Sequence, residues 1–61
     1  MNPIENRIEH MHDYYEGLAL LNEYGVTPNS IKEYNILSIN EDINVLRGKV
    51  AVLMRHNGFI Q

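Results

Sequence analysis

Apolar residues in the first third of this sequence recur at alternating spacings of four and three, and no other feature constrains the fold as strongly. The positions are Ile4, Ile8, Met11, Tyr15 and Leu18. This spacing places the side chains along one face of an α-helix. Asn2 can cap the start, Pro3 suits the first turn, and Gly25 can adopt the left-handed conformation that ends a helix. The pattern therefore predicts a long helix over residues 3–24.

A second run with the same period lies in the C-terminal half. Its positions are Ile36, Ile39, Ile43, Leu46, Val50 and Leu53. Ser38 and Glu41 have the spacing of a capping box, and Asn57-Gly58 can end a helix with Phe59 folded back on the last turn. The run predicts a long helix over residues 39–57.

The segment between these runs allows two interpretations. Thr27-Pro28 has the character of a helix start, which predicts a short helix over residues 28–36. The alternative is one helix through residues 28–57 that bends near Ser38. We favour the short helix.

Residues 49–61 also allow a strand and turn. The stretch KVAVLM alternates in hydrophobicity and Asn57-Gly58 is a strong hairpin turn, but only three residues follow the turn. Because three residues make a poor second strand, we favour the helix.

The chain has 61 residues and no cysteine. A core in a protein of fewer than about 70 to 80 residues rarely supplies more than ~3 to 5 kcal/mol, so a second subunit is a common remedy. The run from Val50 to Met54 is apolar on every side of a helix and needs two neighbours. We therefore expect an all-α fold: a single domain, residues 1–61, forming an antiparallel helical hairpin that dimerises into a four-helix bundle. The residues expected to mediate self-association are Ile8, Met11, Tyr15, Leu18, Ile43, Leu46, Val50, Val52, Leu53 and Met54.

Charge is divided along the chain. Residues 1–42 carry a formal charge of −6, and residues 43–61 carry +3. The basic end can fold against the acidic beginning, so we expect no direct nucleic-acid binding through a basic patch. An acidic face could instead imitate the phosphates of DNA in an inhibitor, through Glu5, Glu9, Asp13, Glu16 and Glu23. No apolar run is long enough for a membrane span, so we expect no membrane partner and a cytoplasmic protein.

The stretch EHMHDYYEG, residues 9–17, has the composition of a catalytic or metal site. The register of the predicted helix makes it a polar helix face instead, and we expect no cofactor. The alternative is a carboxylate-bridged metal site, because Glu9 and His12 have the Glu-x-x-His spacing that bundles use with a further carboxylate such as Glu41 or Asp42.

One resemblance suggests a catalytic alternative. The order IEHM, EYGVT and SINEDINVL over residues 8–50 resembles the small helical-hairpin aspartyl-phosphate phosphatases of spore-forming bacteria. In that family the second helix opens with Ser-Gln-Glu-Leu-Asp. Ser38 and Asp42 match this motif, whereas Glu41 replaces the leucine and the link after Gly25 is longer. The resemblance implies that Asp42 would act on a phosphorylated response regulator.

The sequence favours a non-enzymatic protein–protein interaction module. In this hypothesis a homodimer regulates or inhibits a larger bacterial or phage-host protein by stoichiometric binding. Tyrosine offers a large contact area with a polar tip. The residues expected to contact the partner are Tyr14, Glu16, Tyr24 and Tyr34.

Overall fold

The computed structural model describes residues 2–26 and 40–61, which contain three helices. They are α1 (Pro3–Glu9), α2 (Tyr14–Glu23) and α3 (Ile43–His56). The expected helical class is confirmed for these residues, and the strand interpretation of residues 49–61 is wrong because α3 continues through most of it. The short helix over residues 28–36 and the Ser38 cap lie outside the described residues.

The first long helix was predicted to be continuous, and that prediction is wrong. Residues 10–13 interrupt it, because a second helix start lies inside the apolar pattern. The Asp13 backbone is extended, and its carboxylate accepts a hydrogen bond of 2.9 Å from the Glu16 amide. The Glu16 carboxylate in turn accepts one of 2.8 Å from the His12 amide. This reciprocal arrangement is a variant of the capping box, and it favours a new helix at this point.

A contact from α3 also stabilises the break at residues 10–13. The Arg47 side chain donates two hydrogen bonds to the Met11 carbonyl oxygen, at 3.0 Å from Nε and 2.7 Å from Nη2. Met11 is itself buried, and a Cβ on Gly17 would lie 3.1 Å from its sulfur and 3.4 Å from a Val50 methyl group. Gly17 therefore permits a close approach of α2 to Met11 and Val50 that a larger residue would block.

Both C-terminal helix ends follow the prediction. At the end of α2, Gly25 has φ 75°, and the Val26 amide donates to the Leu21 carbonyl oxygen at 3.0 Å. At the end of α3, Gly58 has φ 82°, and the Phe59 amide donates to the Met54 carbonyl oxygen at 2.9 Å. Each is a Schellman motif, in which a left-handed glycine lets the chain turn back and satisfy a free carbonyl group.

The two N-terminal helices both pack on α3. Gly17, early in α2, lies beside Val50, and the Tyr24 ring at the end of α2 lies beside the Phe59 ring, which follows α3. Later positions of α2 thus contact later positions of the C-terminal segment, so α2 and α3 run in the same general direction. The second neighbour that the Val50–Met54 run requires thus comes from the same chain. The buried apolar side chains are Ile4, Ile8, Met11, Leu20, Leu21, Val26, Leu46, Val50, Leu53, Met54 and Ile60.

The break changes which side chains of α2 face the core. Tyr15 was predicted to be buried but is 62% exposed, and Leu18 is only partly buried. The new start at Tyr14 resets the helical phase, so α2 buries Gly17, Leu20 and Leu21 instead. The predicted start of the last helix at residue 39 is also wrong, because Asp42 caps a helix that begins at Ile43. None of the described helices has the length and hydrophobicity needed to cross a membrane.

Candidate functional site

The polar stretch from Glu9 to Gly17 is the junction between α1 and α2. Its polar groups organise the backbone: Asp13 caps α2, the Glu16 carboxylate accepts from the His12 amide, and His10 Nδ1 lies 2.8 Å from the Asn6 carbonyl oxygen. Glu16, predicted to contact a partner, therefore has a structural partner within the junction. The resemblance of this stretch to a reactive site follows from the polar residues that a helix junction needs.

The proposed metal ligands Glu9 and His12 lie in different surroundings. Glu9 lines a pocket of about 290 Å³, whose other lining residues include Glu5, Ile8, Ala51, Arg55 and Ile60. His12 instead lies in the exposed junction. Within residues 2–26 and 40–61, no group of three or more His, Cys, Asp or Glu side chains is arranged to hold a metal ion. Arg55 lines the same pocket as Glu5 and Glu9, and its positive charge there disfavours the binding of a metal cation.

Asp42, the catalytic residue in the phosphatase alternative, is the N-cap of α3. Its carboxylate accepts a hydrogen bond of 2.8 Å from the Asn44 amide and its side chain is exposed. The neighbouring Glu41 is partly buried, and its Oε2 lies 2.8 Å from Lys49 Nζ. That oxygen accepts no hydrogen bond of good geometry from the described residues, so the ion pair with Lys49 is what offsets its buried charge.

The predicted partner-binding tyrosines are distributed over two ends of α2. Tyr14, at the start, is partly buried against the core and packs edge-to-face with Tyr15 at 5.2 Å between ring centroids. Tyr24, at the end of α2, is partly buried as well. Tyr34 lies outside the described residues.

Tyr24 belongs to a surface cluster that we call the aromatic edge, defined by Tyr24, Phe59, Arg7 and Glu23. The Tyr24 and Phe59 rings meet edge-to-face with centroids 5.4 Å apart, and Phe59 is 38% exposed. The Arg7 guanidinium donates a hydrogen bond to the Glu23 carboxylate next to them. This bond is the main cause that raises the pKa of Arg7 above its usual value, with a smaller contribution from Tyr24. The aromatic edge therefore joins α1, α2 and the turn after α3.

Three exposed apolar side chains were missed by sequence reasoning or given another role. Phe59 was assigned only a helix-ending contact, Tyr15 was assigned to the core, and Val45 was assigned no role. The signal for Tyr15 was present in the sequence, because Asp13-x-x-Glu16 predicts a helix start that changes its register. The exposure of Val45 follows from the register of α3, since this residue is four positions before Lys49 and opposite Val50 on the helix.

The residues proposed for self-association are mostly covered within the single chain. Ile8, Met11, Leu46, Val50, Leu53 and Met54 are buried, and Ile43 and Leu18 are partly buried. Tyr15 and Val52, at 62% and 43% exposure, are the members of that set that remain on the surface. A surface for a second chain must therefore be built from exposed side chains such as these.

Comparison with known proteins identifies no relative. No protein-family model matches the sequence, no curated protein matches it, and no solved structure matches its fold.

Proposed function

We propose that this protein is a small non-enzymatic interaction module that acts as a homodimer and regulates or inhibits a larger bacterial or phage-host protein by stoichiometric binding. The observation that carries the proposal is the aromatic edge. It presents two packed rings and a charged pair on one surface. Aromatic residues and arginine are the types that contribute most to binding energy in protein interfaces.

The backbone under the aromatic edge is well suited to binding. Tyr24 is the C-cap of α2, directly before Gly25, and Phe59 follows Gly58 after the end of α3. Hydrogen bonds of the two Schellman motifs fix both turns, so both rings are held on ordered backbone. A surface that is ordered before binding loses less conformational entropy when a partner docks.

The roles of the carboxylates support a binding protein over an enzyme. Asp13 and Asp42 cap helices, Glu16 accepts from a backbone amide, and Glu23 pairs with Arg7. Each of these groups stabilises the fold directly. The phosphatase alternative requires the Asp42 carboxylate for chemistry, and its structural role offers a clean way to separate the two functions.

The test compares two exposed aromatic residues: Phe59, which packs on Tyr24 at the end of α2, and Tyr15, in the first turn of α2. The full chain, immobilised as wild type, Phe59→Ser or Tyr15→Ser, is used to capture proteins from a lysate of cells that produce it, and the bound proteins are quantified. Phe59→Ser removes a ring from the aromatic edge, whereas Tyr15→Ser removes a more exposed ring elsewhere and serves as the control. Circular dichroism confirms equal helix content.

We expect one protein to bind in a fixed ratio to the wild type and to Tyr15→Ser, and to be lost with Phe59→Ser. Equal retention by all three variants would show that the aromatic edge is not the binding surface. A separate variant, Asp42→Asn, keeps a good N-cap but removes the carboxylate. If Asp42→Asn abolishes a dephosphorylating activity while partner binding is retained, the interaction-module proposal fails.

A further inference from the structure

Helix α3 has a second apolar face that no other helix of residues 2–26 and 40–61 covers. Val45 is 46% exposed and Val52 is 43% exposed. They are seven residues apart and Gly48 lies between them, so the three residues share one side of the helix. This side is opposite Val50 and Leu53, which are fully buried. We call Val45, Gly48 and Val52 the outer seam.

The glycine in the outer seam makes no close contact with the part of the chain that the structure describes. Gly48 lies inside α3, and a Cβ added to it would meet no described atom within 4 Å. It also lacks the positive φ of Gly25 and Gly58. Apart from proline, glycine is the least favourable residue in a helix interior. The other helical glycine, Gly17, differs because Met11 and Val50 occupy the space beside it. Gly48 would gain a comparable use if another helix approached closely from outside.

The two ends of α3 carry opposite charges. Glu41 and Asp42 lie at its start, and Arg55 and His56 lie in its last turn. Arg55 lines the pocket with Glu5 and Glu9, but among the described residues it has no carboxylate within 4 Å and is open to a further ion pair. Two copies of such a helix that run antiparallel bring the basic end of each to the acidic end of the other, and their helix dipoles also oppose. A parallel pair would instead bring like charges together at both ends.

We propose that the outer seam is covered by a second copy of this chain, in an antiparallel arrangement whose two-fold axis passes near Gly48. An isologous contact requires a surface that is complementary to itself. Val45 is three residues before Gly48 and Val52 is four residues after it. Val45 of each copy therefore lies opposite Val52 of the other copy across the axis. Arg55, seven residues after Gly48, then lies near the exposed Asp42 of the second copy.

Lys49 is the residue that could oppose this arrangement, because two copies would bring two ammonium groups near the axis. Its Nζ is already 2.8 Å from Glu41 of its own chain, which offsets the charge. The inference rests on the homodimer in the proposed function but is independent of the larger partner, since the aromatic edge is formed by other residues.

Single-cysteine variants test the arrangement directly, because the chain has no cysteine of its own. Val45→Cys, Val52→Cys and an equimolar mixture of the two are oxidised mildly, and disulfide-linked dimers are measured on non-reducing gels. A disulfide needs Cα atoms about 4.4 to 6.8 Å apart. In the antiparallel pair, two copies of residue 45 are offset by about 10 Å along the axis, from the rise of 1.5 Å per residue. Ala19→Cys, on the exposed side of α2, reports random collisions.

We expect the mixture to form linked dimers well above the Ala19→Cys level, and each seam variant alone to stay near that level. Equal linkage by Val45→Cys alone would overturn the antiparallel arrangement. Linkage no greater than the Ala19→Cys control, with a wild-type mass of two chains, would overturn the outer seam and leave the homodimer standing. A wild-type mass of one chain at all concentrations would overturn both.

Gly48→Leu provides a second measurement that does not depend on disulfide chemistry. Leucine favours a helix more than glycine, and no atom of the described residues lies within 4 Å of a Cβ at this position, so we expect the variant to fold. The larger side chain would separate the two copies at the axis. We expect light scattering to show one chain instead of two at unchanged helix content. A mass of two chains in Gly48→Leu would contradict the proposal.

Discussion

The N-terminal segment and α3 have the same apolar period, but only α3 is an uninterrupted helix. Residues 3–24 divide into α1 and α2, whereas residues 43–56 form one helix. The difference lies in the polar residues. Asp13 and Glu16 form a reciprocal cap in the middle of the first segment, and α3 has its cap, Asp42, at the start. The apolar spacing predicts which face of a helix is buried, while capping residues determine where the helix is divided.

The division has a consequence for packing. A straight helix over residues 3–24 could cover only one side of α3, but α1 and α2 together cover two. The fully buried Val50, Leu53 and Met54 show that the apolar side of α3 is satisfied within one chain. Dimerisation is therefore not required to bury the predicted stripes, and the proposed homodimer uses the opposite side of α3.

Loss of Arg47, which holds the junction between α1 and α2 against α3, should lower the free energy of unfolding most. Arg47→Met retains an unbranched side chain but removes both hydrogen bonds to the Met11 carbonyl oxygen. Hydrogen bonds from charged groups contribute about 1.5 to 3 kcal/mol, so we expect a loss of that order in the free energy of unfolding. Urea titration measures it. Arg55→Met, which removes an exposed cation from the last turn of the same helix, is the control and should cost less. Equal losses of stability in the two variants would mean that the hydrogen bonds from Arg47 to Met11 have no special role at the junction.

The two helical glycines should respond in opposite directions. Gly17→Val places methyl groups where Met11 and Val50 already lie, and overpacking of this kind costs about 1 to 3 kcal/mol. Gly48→Ala fills open space within the chain and should stabilise α3 by up to about 1 kcal/mol. Thermal unfolding at a concentration that dissociates any dimer checks both. Stabilisation by Gly17→Val would contradict the close approach at the junction.

The two aspartate caps should give the smallest and most local effects. Asp13→Ala and Asp42→Ala each remove a carboxylate that accepts an amide hydrogen bond, at 2.9 Å and 2.8 Å respectively. Each should cost about 1 kcal/mol of stability. Amide hydrogen exchange should then increase at the start of α2 in one variant and at the start of α3 in the other. An Asp13→Ala variant with unchanged exchange near Glu16 would show that the cap does not set the break.

The sequence predicted the helical class, the glycine ends of α2 and α3 and seven of the buried positions, because these depend on local period and turn chemistry. These positions are Ile4, Ile8, Met11, Leu46, Val50, Leu53 and Met54. It placed Tyr15 wrongly because the apolar period continues across the break and conceals the change of register. The capping box at Asp13 was readable but was not weighed against that period.

The contacts that assemble the surfaces could not be predicted in the same way. Arg47 and Met11 are 36 residues apart, and Tyr24 meets Phe59 from a different helix end. Such pairs depend on how α1 and α2 lie on α3, which local spacing does not determine. The aromatic edge and the outer seam therefore became visible only with the fold.

The central claim is that residues 3–24 form two helices, α1 and α2, instead of one continuous helix. The distance between Arg7 and Glu23 tests it most directly. Their side chains are in contact in the structure. In one continuous helix their backbones would be about 24 Å apart, at 1.5 Å per residue. Nuclear Overhauser effects between the two side chains are expected for the broken arrangement. Their absence, together with helical chemical shifts through residues 10–13, would contradict it.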